Sequence, residues 1–411
     1  MRVLREVQPR SLGTVSASTC SRGPLESCAG GSRSRDRTAG CEPGSAQTAG
    51  EQVRNRTGSA LDSAPFGGVP LRSVAVVLPL FAFLLCGCEL APESPQSNLT
   101  WAIAVHGGAG TIDRDAPRAR LQAYEEALTR ALVKGRSMLA DGAAALDVCE
   151  AVVRMLEDDP LFNAGKGAVF NERGEHELDA SIMDGSTMRC GAVAGVRTVR
   201  HPISLARKVM TETRHVLLAA AGAEQFADAA GVERVANDWF DTERRRRALQ
   251  EVLGERERTG LLAPRDRRHD YGTVGCVVRD REGRLAAATS TGGMTAKKWG
   301  RVGDTPIVGA GCYADAFAAV SCTGTGEEFI RHGVARAVTA RMQYGGQSLA
   351  RAAHGVVHGV LRPNDGGLIA VDRFGNIATP FNTSGMYRAQ ANSSGLFEVA
   401  IFGDESAEGG R

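Results

Sequence analysis

Gly272-Thr273-Val274-Gly275-Cys276-Val277-Val278-Arg279 reads as a strand, and Arg284 to Ser290 as a second one beyond a turn at Asp280 to Gly283. The second run ends in Ala288-Thr289-Ser290-Thr291-Gly292-Gly293, which places Thr291 eighteen residues after Thr273. A lone hydroxyl is a weak nucleophile and needs a base held beside it. A free α-amine, with an ordinary pKa of about 7.7 to 8.0, can be that base. An internal threonine gains such an amine only if the bond before it is cut, and Gly272 leaves the backbone there free to take the strained geometry that cutting requires. Taken alone, the tetrapeptide more often marks a glycine entering a strand, since glycine punctuates strands everywhere.

Upstream of this pair, Trp101 to His106 predicts a strand that meets a tight loop, His106-Gly107-Gly108-Ala109-Gly110. Helical patterns cover Arg118 to Leu139 and Ala143 to Glu157, stopped by the breaker Pro160-Leu161-Phe162-Asn163-Ala164-Gly165. Strands are expected at Ala168 to Asn171, Glu175 to Met183 and Cys190 to Val199, with helices at Ile203 to Met210 and His215 to Ala229. Asp241 to Asp270, which contains Arg244-Arg245-Arg246-Arg247, is dense enough in charge to read as a mobile connector with one helix. Downstream, strands are expected at Pro306 to Tyr313, Ala318 to Cys322 and Gly367 to Asp372, with helices Gly326 to Tyr344 and Leu349 to Leu361 between the last two. Antiparallel sheets packed on each other and covered by helices, an α+β arrangement, fit this order. A cut at Gly272 then divides one core rather than two domains.

The chain has 411 residues and a formal net charge of only +2, without a basic and aromatic stripe, so nucleic acid is not an expected partner. Residues 1 to 70 hold nine Arg, no Lys and no sustained apolar periodicity, and read as disordered or as spurious upstream sequence. At Leu71 the text changes to a basic flank, an apolar run from Val74 to Leu85, and Cys86-Gly87-Cys88. That is the layout of a secretory signal, with translation expected to start near Val69. Leu85-Cys86-Gly87-Cys88 resembles a bacterial lipoprotein box, which makes Cys88 the expected lipidation site and the membrane a partner only through that anchor. Localisation follows as the bacterial cell envelope, periplasmic or membrane-anchored, and cytoplasmic if the signal is not used. Residues 89 to 100 form a linker. The five later cysteines are scattered in apolar runs and read as small core hydrophobes, and no zinc-type Cys/His spacing is present.

Arg301 and Asp304 stand among glycines in Gly300-Arg301-Val302-Gly303-Asp304. A guanidinium can hold a carboxylate bidentately while a carboxylate holds an ammonium, so the pair suits an α-amino acid. Alone, it reads more readily as a surface salt bridge. Ser321-Cys322-Thr323-Gly324-Thr325-Gly326 ends a strand and opens a helix, and its N–H groups could serve developing negative charge. A threonine N-cap explains the same residues about as well. The lysine of a phosphate loop is missing, no Gly-x-Ser-x-Gly elbow occurs, and no histidine has an evident triad partner.

Together these segments resemble the plant-type asparaginase and isoaspartyl peptidase family of N-terminal nucleophile hydrolases, over roughly residues 101 to 403. The resemblance rests on His106 to Gly110, Phe162-Asn163-Ala164-Gly165, His176-Glu177-Leu178-Asp179-Ala180, Met183-Asp184-Gly185, Gly272 to Gly275, the Thr291 block, Gly300 to Asp304 and Ser321 to Gly326. It implies a four-layer αββα sandwich and a precursor that cuts itself between Gly272 and Thr273. An α subunit (101 to 272) and a β subunit (273 to 411) then pair again and self-associate as a dimer of heterodimers. It implies that Thr273 is the nucleophile, Thr291 supports its hydroxyl and amine, and Asn163 helps hold the amine. Arg301 and Asp304 bind the substrate's carboxylate and ammonium, Thr323 and Gly324 stabilise the oxyanion, and Gly326 shapes that loop. The implied substrates are L-asparagine and β-aspartyl dipeptides. No cofactor is required; a structural Na⁺ is expected on the backbone carbonyls of Leu156, Glu157, Asp159, Phe162, Ala164 and Lys166. This chain departs from the family at Asp270-Tyr271, in its Arg-rich connector, and in having one residue fewer between Asp304 and Thr323.

Two rivals remain at this stage. A glycosylasparaginase shares fold and nucleophile but admits a sugar on the side-chain nitrogen. A non-catalytic envelope lipoprotein would use the same pocket only to bind amino acids.

Overall fold

The computed structural model describes residues 99–110, 112–260 and 272–403. The expectations for residues 1 to 70, the export signal, Cys88 and most of the linker therefore lie outside the described residues, as does connector segment 261–271.

The first strand, β1 (Ala102–Gly110), is buried along its whole length and sends alternate side chains to opposite faces. Ile103 and Val105 join one apolar cluster with Leu128, Leu132, Val148 and Val152, while Ala102 and Ala104 join another with Val277, Ala287, Ala319 and Ile369. The helices behind the first cluster are α1 (Arg118–Ala140) and α2 (Ala145–Asp158). In α2 the buried positions 145, 148, 149, 152, 153 and 156 form one helical stripe. Each fully buried Leu, Ile or Val contributes about 1.5–3 kcal/mol relative to exposure.

Next come β2 (Leu178–Asp184), β3 (Cys190–Val196), α3 (Pro202–Glu212), β4 (Leu217–Ala219), α4 (Ala220–Ala229) and α5 (Glu243–Thr259). After the undescribed segment follow β5 (Val274–Arg279), β6 (Leu285–Thr291), β7 (Cys312–Ala314), β8 (Ala318–Gly324), α6 (Gly326–His332), α7 (Val334–Gly345) and α8 (Leu349–Val357). The last described elements are β9 (Gly366–Asp372), β10 (Ile377–Ala378), β11 (Gly385–Asn392) and β12 (Phe397–Ala400). Eight strands form one sheet in the order β12-β11-β1-β5-β6-β2-β3-β4, and four form another in the order β10-β9-β8-β7. Every pairing is antiparallel except β3 with β4. A third cluster packs α6, α7 and α8 against β8 and β9, through Phe329, Val338, Val356, Val320 and Leu368.

Several expectations are corrected by local chemistry. Ala168 to Asn171 is a loop, because Asn171 Oδ1 accepts the N–H groups of Arg173 and Glu175 and turns the chain. The strand after it starts at Leu178 rather than Glu175. The expected helix at His215 begins only at Ala220, since Leu217–Ala219 adds an edge strand beside β3. Only Cys312–Ala314 of the expected strand at Pro306 is extended, because Ile307 and Ala310 are held in successive turns on Asp304 and Ile307 carbonyls. The expected long helix from Gly326 breaks at Gly333, whose φ of 54° is left-handed. The described part of the connector is largely helix α5, capped by Thr242 and Gly260. The five described cysteines are free thiols, four of them buried. Among the described residues no helix is long and apolar enough to cross a membrane.

Where the two sheets meet, Gly275 is irreplaceable: a Cβ there would lie 2.0 Å from Ser321 Oγ and 2.3 Å from His106 Nε2. Gly254, inside α5, has nothing within 4 Å of a Cβ. Gly275→Ala is expected to lower stability by about 1–3 kcal/mol or more, and Gly254→Ala to raise it by roughly 0.5–1 kcal/mol. Chemical denaturation of the two variants checks this, and equal effects would contradict the packing described.

Candidate active site

Thr273 directly precedes β5, and Thr291 closes β6; the register pairs Val274 with Ser290, so the two threonines sit side by side at one sheet end. Their Oγ1 atoms are 3.0 Å apart and both residues are buried. Either hydroxyl can donate. Thr291 Oγ1 also accepts the Gly293 N–H at 3.0 Å, which fixes its rotamer.

Asn163 frames the residue before Thr273. Its N–H donates to the Gly272 carbonyl at 2.9 Å, and its own carbonyl accepts the Gly292 N–H at 2.9 Å. Its side chain is spent on the loop, with Nδ2 donating to Gly293 O at 2.8 Å and Oδ1 accepting Val169 N–H at 2.9 Å. Asn163 thus meets the Gly272–Thr273 link through its backbone rather than through the side chain. Both glycines are needed, because a Cβ on Gly272 or Gly292 would lie 2.8 Å or less from Asn163 atoms.

His106 supplies a support that its motif alone did not reveal. Its Nδ1 lies 2.9 Å from the Thr273 carbonyl oxygen and its Nε2 2.9 Å from Ser321 Oγ. Burial pushes its pKa down to about 3, against the raising effect of the bond to Thr273, so the ring is neutral. A carbonyl can only accept, which places the proton on Nδ1 and makes Nε2 the acceptor for the Ser321 hydroxyl. Thr289 Oγ1 continues the chain, 2.7 Å from Ser321 Oγ. Strand alternation from Ala102 and Ala104 puts His106 on this inner face, a signal present in the sequence.

The structure also brings Arg301 and Asp304 together around Gly326. A Cβ on Gly326 would lie 2.7 Å from Arg301 Nη2 and 3.0 Å from Asp304 Oδ1. Arg301 is held bidentately by Glu327, at 2.9 and 2.8 Å. Glu327 was read only as helix sequence. Asp304 is buried, and its Oδ2 has no hydrogen-bond partner among the described residues. Burial pushes its pKa up to about 7, in spite of the nearby Arg301 guanidinium. Thr323 Oγ1 accepts the Ala109 N–H at 3.2 Å, which ties the Gly-rich loop of β1 to β8. Gly324 must lack a Cβ, which would lie 2.1 Å from Asp365 O.

No spacing marks Asp179 or Lys297 in the sequence, although Asp179 lies within His176-Glu177-Leu178-Asp179-Ala180. Asp179 pairs with Thr291 in the β2–β6 register, and Lys297 Nζ donates to Glu177 O at 2.7 Å. Burial raises the Asp179 pKa and lowers that of Lys297, each partly offset by attraction to the other. No group of three or more His, Cys, Asp or Glu fit to hold a metal exists among the described residues. The turn from Leu156 to Lys166 closes tightly, with Gly165 at φ 50° and a Cβ there 2.1 Å from Glu157 O.

A buried threonine paired with a second hydroxyl, together with an Arg and an Asp gathered around Gly326, is the equipment of a threonine hydrolase. The chain belongs to the asparaginase family, which matches it over residues 99–401. It is 53% identical over 293 residues to an isoaspartyl peptidase of Salmonella typhimurium, covering 70% of this chain and 94% of that protein. It is 42% identical over 303 residues to a plant-type L-asparaginase of Pyrococcus furiosus, covering 69% and 94%. An isoaspartyl peptidase/L-asparaginase of Bos taurus is 41% identical over 313 residues, covering 74% and 97%.

The Asp304 shift has a consequence for stability. Its folded pKa of about 7 lies above the ordinary 3.8, so the fold disfavours the charged form. Stability from this group is complete below about 3.8, is lost as pH rises from there, and is gone above about 7. Asp304→Asn escapes that loss, so its melting temperature is expected to exceed the wild-type value by a margin that grows from pH 5 to pH 8. A margin independent of pH would contradict the shift.

Proposed function

We propose that this protein is a self-processing threonine hydrolase that cleaves the side-chain amide of L-asparagine and the isopeptide bond of β-aspartyl dipeptides. The observation that carries this reading is the 3.0 Å approach of Thr273 Oγ1 to Thr291 Oγ1, with the Gly272 carbonyl held by Asn163 N–H. The names of the relatives support both activities. The three apolar clusters support a four-layer αββα order.

Maturation begins when Thr273 Oγ attacks the Gly272 carbonyl carbon and the Asn163 N–H takes the oxyanion. The C–N bond breaks as its nitrogen takes up the proton lost by the Thr273 hydroxyl, and an ester joins Gly272 to Thr273 Oγ. Water hydrolyses the ester, which leaves a Gly272 carboxylate and a free Thr273 amine. That amine is the base that the hydroxyl lacked.

In turnover Arg301 binds the substrate α-carboxylate and Asp304 the α-ammonium, with Gly326 leaving them room. Glu327 gives up part of the Arg301 fork as the carboxylate enters. The Thr273 amine takes the Oγ proton as Oγ attacks the side-chain carbonyl. Thr323 Oγ1 and the Gly324 N–H receive the oxyanion, and Thr291 steadies the attacking oxygen. The leaving ammonia or amino acid takes the proton, and water then releases aspartate from the ester.

The Leu156 to Lys166 turn fits a Na⁺ held by carbonyls, since the Leu156 and Asp159 carbonyls accept only long turn bonds of 3.4 and 3.3 Å. Such an ion would stiffen the turn that carries Asn163. Pairing of the two subunits into a dimer of heterodimers, export to the envelope and lipidation of Cys88 belong to the same proposal, and rest on sequence.

Denaturing electrophoresis of the purified chain is expected to show two fragments, one beginning at Thr273. Thr273→Ala should leave a single band without activity, and Thr291→Ala should lose about 10²–10⁴-fold in turnover. A glycosylated asparagine preferred over both proposed substrates would overturn the assignment. Because Asp304 must be charged to bind an ammonium, KM for a β-aspartyl dipeptide should rise as pH falls below about 7, approaching about tenfold per unit. A KM flat from pH 5 to pH 8 would remove Asp304 from that role.

A further inference from the structure

The run Arg244-Arg245-Arg246-Arg247 is not used by the chemistry above, yet only one of its members is buried. Arg245, on α5, is 4% exposed. Its Nε donates to the Gly167 carbonyl at 2.8 Å, and its Nη2 lies 3.3 Å from where a Cβ of Gly272 would stand. The guanidinium is therefore bonded to one wall around the residue to be cut and lines the same small cleft as the other. One wall is the turn that follows Asn163, whose N–H holds the Gly272 carbonyl. The other is Gly272 itself.

Neighbours seat the helix on that turn. Arg244 Nη2 donates to Leu161 O at 2.7 Å, the Arg246 guanidinium lies 5.1 Å from the Phe170 ring centroid, and Leu249 packs with Phe170 and Ala296. Thr242 caps the helix by accepting the Arg245 N–H at 3.3 Å. Arg247, by contrast, pairs among the described residues with the exposed Glu243. A Cβ at 272 would clash with Asn163, 2.8 Å away, and crowd Arg245 Nη2, 3.3 Å away.

We infer that Arg245 is a positioning residue for self-cleavage, locking Gly272 against the Asn163 turn so that its carbonyl carbon faces Thr273 Oγ. The inference rests on the self-processing reading. The connector helix is then part of the apparatus that cuts the chain, rather than a tether left over from it. A planar fork performs this better than a point charge, because one nitrogen is fixed on Gly167 O while another is held over the side of Gly272 that has no Cβ.

The test follows conversion of full-length precursor to fragments by denaturing electrophoresis, with melting temperature measured in parallel. R245A is expected to mature at least tenfold more slowly than wild type, R245K to recover part of the rate, and millimolar guanidinium chloride to accelerate R245A but not wild type. R247A should mature at the wild-type rate. Wild-type rates in R245A would overturn the inference. So would a slow R245A that neither guanidinium nor the R245K substitution improves, since that marks a loss of folding alone. A wild-type chain that never cuts sinks the self-processing reading itself, and is distinguishable from both.

Discussion

His106 bonds to the Thr273 carbonyl on one side and to the Ser321 hydroxyl on the other, and it therefore joins the end of β5 to β8 in the opposing sheet. The ring fits only because Gly275 presents no side chain beneath it. Around it the inner faces of both sheets change character along their length. At one end Ala102, Ala104, Ala287 and Ala319 let the sheets approach closely, and at the other Thr273, Thr289, Thr291, Ser321 and Thr323 point into the same layer. Buried polar groups are tolerated when each finds a partner. The single directed chain from Thr289 through Ser321 and His106 to Thr273 O meets that demand and aims the threonine.

Charge is treated differently. Asp304, Asp179 and Lys297 are buried and each is pushed toward its neutral form, so the fold carries groups that oppose its own stability. Asp304 keeps one oxygen without a hydrogen-bond partner among the described residues, and Arg301 keeps its fork on Glu327. Strained electrostatics of this kind gather where a ligand completes them. An amino-acid zwitterion would supply the ammonium that Asp304 lacks and compete with Glu327 for Arg301.

Much of the fold was legible because it follows from period alone. The β1, β5, β6, β8 and β9 cores and helices α1, α2, α3 and α8 stand close to where alternation or helical spacing put them. Strands β11 and β12 escaped: β11 is a central strand beside β1, yet its Gly-Met-Tyr-Arg start carries no clean alternation, and long-range pairing leaves no local mark. The expected strands at Ala168 to Asn171 and at Pro306 to Ala310 are turns instead, because side-chain and backbone turns outweigh β-propensity there. The threonine pair and the Arg301–Asp304 pair were found by residue type, whereas Glu327 and Lys297 act only through contacts made in space. The four arginines looked like solvated charge; burial of Arg245 is a property of the packed helix and is not written in the run.

The central claim is that Thr273 acts as an N-terminal nucleophile. Acid-quenching the matured enzyme during turnover of a β-aspartyl dipeptide, followed by peptide mass spectrometry, tests it most directly. An aspartyl ester is expected on the fragment that begins at Thr273, and none in Thr273→Ala. An adduct on any other residue, or full turnover by a chain still intact across Gly272–Thr273, would contradict it.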